Sequence, residues 1–115
     1  MHSTLHAAYL SELTAARQAS LGGETELAFN HLARAHILGQ RFTFQHVHVH
    51  WLMLRLGMRA GDLREGFGQL SRMVAAALFS RIWVPAGNSG RANVSAFLSM
   101  PIPEDLRILL ERSDV

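Results

Sequence analysis

Apolar residues recur along this chain at the three-to-four-residue spacing that is typical of amphipathic helices. Polar and glycine-containing positions separate the periodic stretches into four blocks, each long enough to form a helix of several turns. The pattern predicts four helices, Ser3–Leu21, Glu24–Leu38, Thr43–Arg59 and Asp62–Trp83. The spacing of apolar residues in all four blocks is helical, so the chain is predicted to be all-α.

Residues at the block boundaries support these limits. Ser3 or Thr4 is expected to cap the first helix and Asp62 the fourth, because their side-chain oxygens accept hydrogen bonds from free backbone amides. Glycine accepts the left-handed conformation that commonly ends a helix. Glycines stand after or between the predicted helices at Gly22-Gly23, Gly39 and Gly61.

Each helix has an apolar stripe that predicts its buried face. In the second helix this stripe is Ala28, Leu32 and Ala35. The third helix has large apolar residues at i, i+3, i+7, i+10 and i+14, and we expect this stripe to face the core. Its members are Phe44, Val47, Trp51, Leu54 and Met58.

An internal repeat relates the two halves of the helical region. Placing Gly23 over Gly61 also aligns Glu24 with Asp62. The predicted units span residues 3–39 and 43–83. Repeats of this size are typical of stacked antiparallel helical hairpins, in which each hairpin buries an apolar face on the next.

The remaining tail, residues 84–115, is predicted to cap the two hairpins within one domain of residues 1–115. Pro85–Ser99 is rich in turn-forming residues and is expected to be irregular. Pro103 suits the first position of a short last helix, Glu104–Arg112. The expected packing residues of this cap are Phe97, Met100, Ile102, Leu106 and Leu109.

Four stretches of the sequence resemble known protein families. The pattern G-E-x-E-x-A-x-x-x-L-x-x-A from Gly23 resembles the turn and second helix of a tetratricopeptide unit. The strings R-A-H-I-L-G-Q, G-N-S-G-x-x-N-V-S-A-F and M-P-I-P are similar to small bacterial proteins of domain of unknown function 3703. That resemblance covers nearly the whole chain and implies no established activity.

The amino-acid composition excludes several kinds of functional site. The 115 residues include no cysteine, which excludes disulfides, thiolate metal sites and thiol nucleophiles. All eleven basic residues are arginines, scattered among nine acids for a net charge of +2, so no basic patch indicates nucleic acid. No secretion signal or membrane-spanning run is evident. We therefore expect a soluble cytoplasmic protein that contacts neither nucleic acid nor membrane.

Histidine carries the candidate chemistry, since five of seven histidines lie between His31 and His50. His46 and His50 are four residues apart and project from one helix face, whereas His48 points about 160° away. His36 lies one turn before the second helix ends, level with His46 across the connection. His36, His46 and His50 are therefore predicted to form an open site for zinc or another divalent transition metal.

The fourth metal position would hold water or a carboxylate such as Glu12 or Glu65. A zincin motif needs Glu beside the first histidine, and Val47 stands there. No nucleophile elbow is present either. These observations favour a binding module over an enzyme.

Other interpretations remain open at this point. One is a tetratricopeptide-like interaction module with purely structural histidines, whose groove is lined by the first and third helices. The partner would be another protein or a second copy of the chain, giving a homodimer. The loop Gly87–Asn93 is either an ordered capping loop held by its Asn side chains or an anion-binding cup of backbone amides.

Overall fold

The computed structural model describes residues 1–113, and this part of the chain contains helices and no strand. The predicted all-α class is confirmed. The five helices are α1 Ser3–Leu21, α2 Thr25–Gly39, α3 Thr43–Arg59, α4 Leu63–Phe79 and α5 Glu104–Ser113. Within the same residues, no helix combines the length and the apolarity that crossing a bilayer requires.

The helices pack as two hairpins with a cap. Helix α1 packs on α2, α3 packs on α4, and α2 joins the hairpins through its contact with α3. Helix α5 lies against α1 and α2. The irregular segment between α4 and α5 includes the loop that reaches the histidines described below.

The turns inside the two hairpins have the same hydrogen bonds. The N–H of Glu24 donates to the carbonyl of Ala19 at 2.9 Å, and that of Asp62 donates to the carbonyl of Gly57 at 2.8 Å. The residue before each donor is a glycine at positive φ, 77° and 75°. Donors and acceptors correspond under the alignment of Gly23 with Gly61, which supports the predicted repeat at the level of the turns.

The helix boundaries differ in detail from those predicted from the sequence. Asp62 caps α4 as predicted, since its Oδ1 accepts from the N–H of Glu65 at 3.0 Å. The cap predicted for α1 is wrong, because the Nδ1 of His2 accepts from the N–H of Thr4 at 3.2 Å. Helix α4 ends at Phe79, earlier than the expected end at Trp83.

The core has two parts. The larger lies between α1, α2 and α3 and includes Tyr9, Phe29 and Met53. The smaller joins α5 to α1 and α2 around Leu106, which is 1% exposed. The predicted cap residues Ile102 and Leu109 pack there. Assigning Phe97 to this packing was wrong, because its side chain is 78% exposed.

The predicted buried face of α3 was also wrong. Phe44 is 74% exposed, and Trp51 and Met58 are each 44% exposed. The buried residues of this helix are instead His46, Val49, His50, Met53, Leu56 and Gly57. Two of the imidazoles therefore lie on the inward side of the helix.

Candidate metal centre

Three histidines from two helices meet inside the protein. His36 projects from the end of α2, and His46 and His50 project from the first half of α3. Their exposed fractions are 3%, 8% and 2%. One ring nitrogen from each lies within 4.8 Å of the other two. Ring centroids are separated by 4.8, 4.8 and 4.9 Å, so the rings form a nearly equilateral triangle.

The other histidines of α2 and α3 lie apart from this cluster. The Nδ1 of His31 is 2.7 Å from Oε2 of Glu12. His48 lines a groove between α1 and α3. The structure therefore groups the three residues that the sequence selected and separates the two that it set aside.

A backbone carbonyl fixes the tautomer of His36. Its Nδ1 lies 2.7 Å from the carbonyl oxygen of Asn88. A carbonyl only accepts, so Nδ1 carries the proton and donates it. The Nε2 of His36 therefore presents a lone pair to the centre of the cluster.

Ser80 holds His46 from the opposite side. The Nδ1 of His46 is 2.8 Å from Oγ of Ser80, and the Ser80 hydroxyl donates to the carbonyl of Ala76. With its own proton used in this way, the Oγ can accept from His46 Nδ1–H. In that tautomer the lone pair of His46 lies on Nε2, as metal binding requires.

Gln69 has the corresponding role for His50. Its Nε2 donates to Oε1 of Glu65 at 3.1 Å and to the carbonyl of Gly90 at 3.0 Å. The amide oxygen of Gln69 is left as the acceptor for His50 Nδ1–H. With a metal bound, all three imidazoles would donate from Nδ1 to an outer partner, the arrangement that orients histidine ligands in metal sites.

The inward nitrogens are close enough to need a shared cation or proton. The Nε2 atoms of His36 and His46 are 3.0 Å apart. Two neutral imidazoles with both lone pairs in this contact repel each other. Histidine nitrogens around tetrahedral zinc at 2.0–2.1 Å are about 3.3 Å apart, so the longest nitrogen separation would close by about 1.5 Å. In the metal-free protein, the other tautomer of His46 would donate to His36 Nε2, with the Ser80 hydroxyl turned to donate to His46 Nδ1.

Burial keeps the cluster neutral. Burial lowers the pKa of His46 to about 3 and that of His50 to about 4. The pKa of His36 falls well below its usual value, first because of burial and then because of the neighbouring histidines. Neutral imidazole is the form that binds a metal.

The loop 87–98 completes the cluster. Asn88 Nδ2 donates to the carbonyls of Ser95 at 2.9 Å and Leu98 at 2.7 Å, and Asn88 Oδ1 accepts from Gly90 N–H at 2.8 Å. Of the two interpretations of this loop, these bonds support the ordered capping loop, with Asn88 rather than Asn93 holding it. These bonds aim the Asn88 carbonyl at His36.

The anion held by this loop is the chain's own Glu65. Its carboxylate accepts from Arg91 Nε at 2.9 Å and from Ala92 N–H at 3.2 and 3.3 Å. Arg91 also lies 3.8 Å above the ring of Phe29. Glu65 is therefore an outer partner of Gln69. Within residues 1–113, neither Glu65 nor Glu12 joins the histidine cluster, so naming them as fourth ligands was wrong.

A cavity of about 360 Å³ opens beside the three imidazoles. Its walls are mainly apolar, with Arg72 and Gln40 as polar contact points. The Oε1 of Gln40 is buried and has no hydrogen bond among the described residues. An unpaired buried acceptor costs free energy, and Gln40 lines a second pocket as well.

Sequence reasoning missed the outer partners Ser80, Gln69 and Gly90. Gln69 and Ser80 are two of several polar residues in and just after α4, which also include Glu65 and Arg72, so their positions alone did not mark them as partners of the histidines. The Asn88 carbonyl left no signal, because backbone atoms are alike at every position and only the folded loop selects one.

Comparison with protein families gives one result. The profile described as protein of unknown function (DUF3703) matches residues 3–110. The chain therefore belongs to this family, which confirms the resemblance inferred from its motifs. Comparisons with curated proteins and with solved structures found no match.

Proposed function

We propose that this protein binds one divalent transition-metal ion per chain through His36, His46 and His50, with zinc as the best candidate. The observation that supports this most directly is the convergence of three neutral imidazoles whose Nδ1 atoms are all engaged outward. Nitrogen-only ligands favour zinc, copper, nickel or iron over calcium and magnesium. Three protein ligands leave the fourth tetrahedral position open.

A binding role fits the surroundings of the site better than hydrolysis. In zinc hydrolases a carboxylate beside the metal takes a proton from the bound water. Glu65 cannot act in this way here, because Arg91, Ala92 and Gln69 occupy its oxygens. Storage, delivery or sensing of the metal needs no such base.

Elemental analysis tests the proposal. The full chain is purified without a polyhistidine tag, incubated with zinc, freed of excess metal and analysed. We expect one zinc per chain and a higher melting temperature. His46→Ala/His50→Ala should lose both effects. His31→Ala/His48→Ala removes the same number of histidines and should keep them. Zinc below 0.1 per chain in the unmodified protein, with unchanged melting, would overturn the proposal.

A second candidate function rests on the groove between α1 and α3. The groove has a volume of about 600 Å³ and contains the apolar residues Leu13 and Leu52. Arg17, Arg55 and Arg59 line it. A groove of this kind suits an acidic protein segment with apolar anchors, as in the tetratricopeptide-like interpretation. Titration with an acidic leucine-containing peptide tests this function independently of metal.

We also propose that the chain forms a homodimer through one face of the α3–α4 hairpin. Gly57 and Gly66 mark the contact between the two helices, since a Cβ on Gly57 would be 2.9 Å from the backbone nitrogen of Gly66. Each residue advances by 100° around its helix axis. If Gly57 on α3 and Gly66 on α4 define 0°, the exposed apolar residues of both helices lie between about 40° and 140°. Because the helices are antiparallel, both sets lie on the same side of the hairpin.

The size of this face fits a second copy. Its large side chains are 44% to 74% exposed, and they are Phe44, Trp51, Met58, Leu63, Phe67, Leu70, Val74 and Leu78. At roughly 200 Å² for a large side chain, eight half-exposed residues present about 800 Å². One partner of a standard interface contributes about this area. A two-fold dimer would cover the face on both subunits at once.

A further inference from the structure

The cavity beside the histidines has the shape and lining of a ligand pocket. Its apolar wall includes Phe79, Trp83 and Phe97, which are 54%, 55% and 78% exposed. Large aromatic side chains that remain this exposed mark the mouth of the cavity, and the three histidines are among its lining residues. The volume of about 360 Å³ corresponds to roughly twelve water molecules at ~30 Å³ each, which suits a ligand of about ten non-hydrogen atoms.

Charge at the inner end of the cavity selects an anion. A divalent ion held by three neutral imidazoles keeps its full charge, and the Arg72 guanidinium adds another positive charge on the same wall. The nearby carboxylate of Glu65 is already paired with Arg91. The fourth coordination position is therefore electrostatically suited to a negatively charged ligand.

The small number of free donors favours a carboxylate over a phosphate. Arg72 already donates from Nη1 to the carbonyl of Gly68 and from Nη2 to the carbonyl of Val94, each at 2.9 Å. The three N–H groups of Arg72 that remain are the only cationic side-chain donors among the lining residues outside the histidines, and the surrounding wall is apolar, which suits one carboxylate better than a dianionic phosphate. A monoanion with two oxygens and a hydrocarbon tail fits both parts of the cavity.

We infer that the cavity binds an apolar monocarboxylate, with the carboxylate on the open metal position and the hydrocarbon tail against Phe79, Trp83 and Phe97. This inference rests on the proposed metal site. It adds a ligand class that the three histidines alone do not specify, and it gives the apolar cavity a function.

The test uses octanoate with two matched probes on the zinc-loaded full chain. Octanol has the same tail without the charge, and acetate has the same head group without the tail. Calorimetric titration should give one octanoate per chain, bound at least tenfold more tightly than either probe. Removing the zinc should weaken octanoate at least tenfold. Equal affinities for octanoate and octanol, or for octanoate and acetate, would overturn the inference.

A pair of variants on α4 separates the cavity from the metal. Ala75 is exposed and lines the cavity, whereas Ala77 is exposed on α4 and is not among its lining residues. Ala75→Phe should fill the cavity and weaken octanoate at least tenfold with zinc stoichiometry unchanged. Ala77→Phe should change neither. If one zinc binds per chain but octanoate binds no more tightly than octanol or acetate, only the monocarboxylate inference fails. If no zinc binds, the proposed metal site fails as well.

Discussion

A Cβ atom on Gly90 would lie 2.6 Å from Cδ2 of His36, closer than real side chains approach. The glycine, at φ +79°, lets the loop carbonyl of Asn88 reach the ring while the Gly90 backbone passes beside it. The loop and the imidazole thus fit only when residue 90 has no side chain. This contact ties the irregular segment after α4 to the end of α2.

Gly90→Ala should therefore weaken zinc binding, by about tenfold or more, because it displaces the His36 ring. Gly61→Ala is the matched control. Gly61 also has positive φ, at 75°, but a Cβ there meets nothing within 4 Å. Both variants carry the same kind of backbone strain, so only the collision with His36 differs. Zinc titration of both variants measures the effect; equal affinities would show that the contact does not position the ring.

Ser80→Ala should lower zinc affinity by about 10- to 100-fold, since it removes the acceptor that holds His46 Nδ1–H. Ser71→Ala provides the comparison on the same helix. Its hydroxyl also donates to a backbone carbonyl, that of Gly68, but it is exposed and is not among the partners of the histidines. Competition with a zinc chelator measures both affinities. A Ser80→Ala protein that binds as tightly as the unmodified chain contradicts the assigned role.

The metal-free protein should lose stability as pH falls from about 6.5 toward 5. The unfolded chain takes up protons near pH 6.5, whereas burial lowers the pKa of His46 to about 3 and that of His50 to about 4. Unfolding therefore binds protons in this window, and the free energy of unfolding falls by up to about 1.4 kcal/mol per pH unit for each buried histidine.

Urea unfolding with a chelator present, at pH 6.5, 6.0, 5.5 and 5.0, measures this slope before most carboxylates titrate. His46→Asn/His50→Asn should flatten the slope. A denaturation midpoint that is constant over this range in the unmodified protein would mean that the cluster accepts protons while folded.

Leu70→Glu should dissociate the proposed dimer, because it places a charge in the centre of the apolar face of α3 and α4. Leu10→Glu on α1 is a close control. The two leucines are 48% and 47% exposed, and they differ in the face that they occupy. Sedimentation velocity should give a dimer for the unmodified chain and for Leu10→Glu, and a monomer for Leu70→Glu. A monomeric unmodified chain would exclude the dimer.

Much of the fold could be predicted because its determinants are local. Asp62 caps the helix that follows it, and the glycine turns before Glu24 and Asp62 form as their sequences indicate. The cluster of His36, His46 and His50 was also predictable, since helical spacing and one short connection suffice to bring the three rings level.

The predictions that were wrong share one physical cause, because each depends on contacts between residues that are far apart in the sequence. On α3, size and apolarity favoured the stripe of Phe44, Trp51 and Met58, yet the helix buries imidazoles instead. That choice depends on hydrogen bonds between these imidazoles and Ser80 and Gln69, which lie at the end of another helix and within it. The position of the loop 87–98 depends likewise on Glu65 and His36, both of which are distant from it in sequence.

Histidine nitrogen NMR of the ¹⁵N-labelled, tag-free chain can decide whether the three buried imidazoles bind zinc, because it reports the protonation and metal ligation of each ring nitrogen. With one equivalent of zinc, we expect Nε2 of His36, His46 and His50 to shift while their Nδ1–H protons remain. His2, His6, His31 and His48 should stay unchanged. No shift in the three buried rings, or shifts confined to the other four histidines, would show that the cluster does not hold the metal.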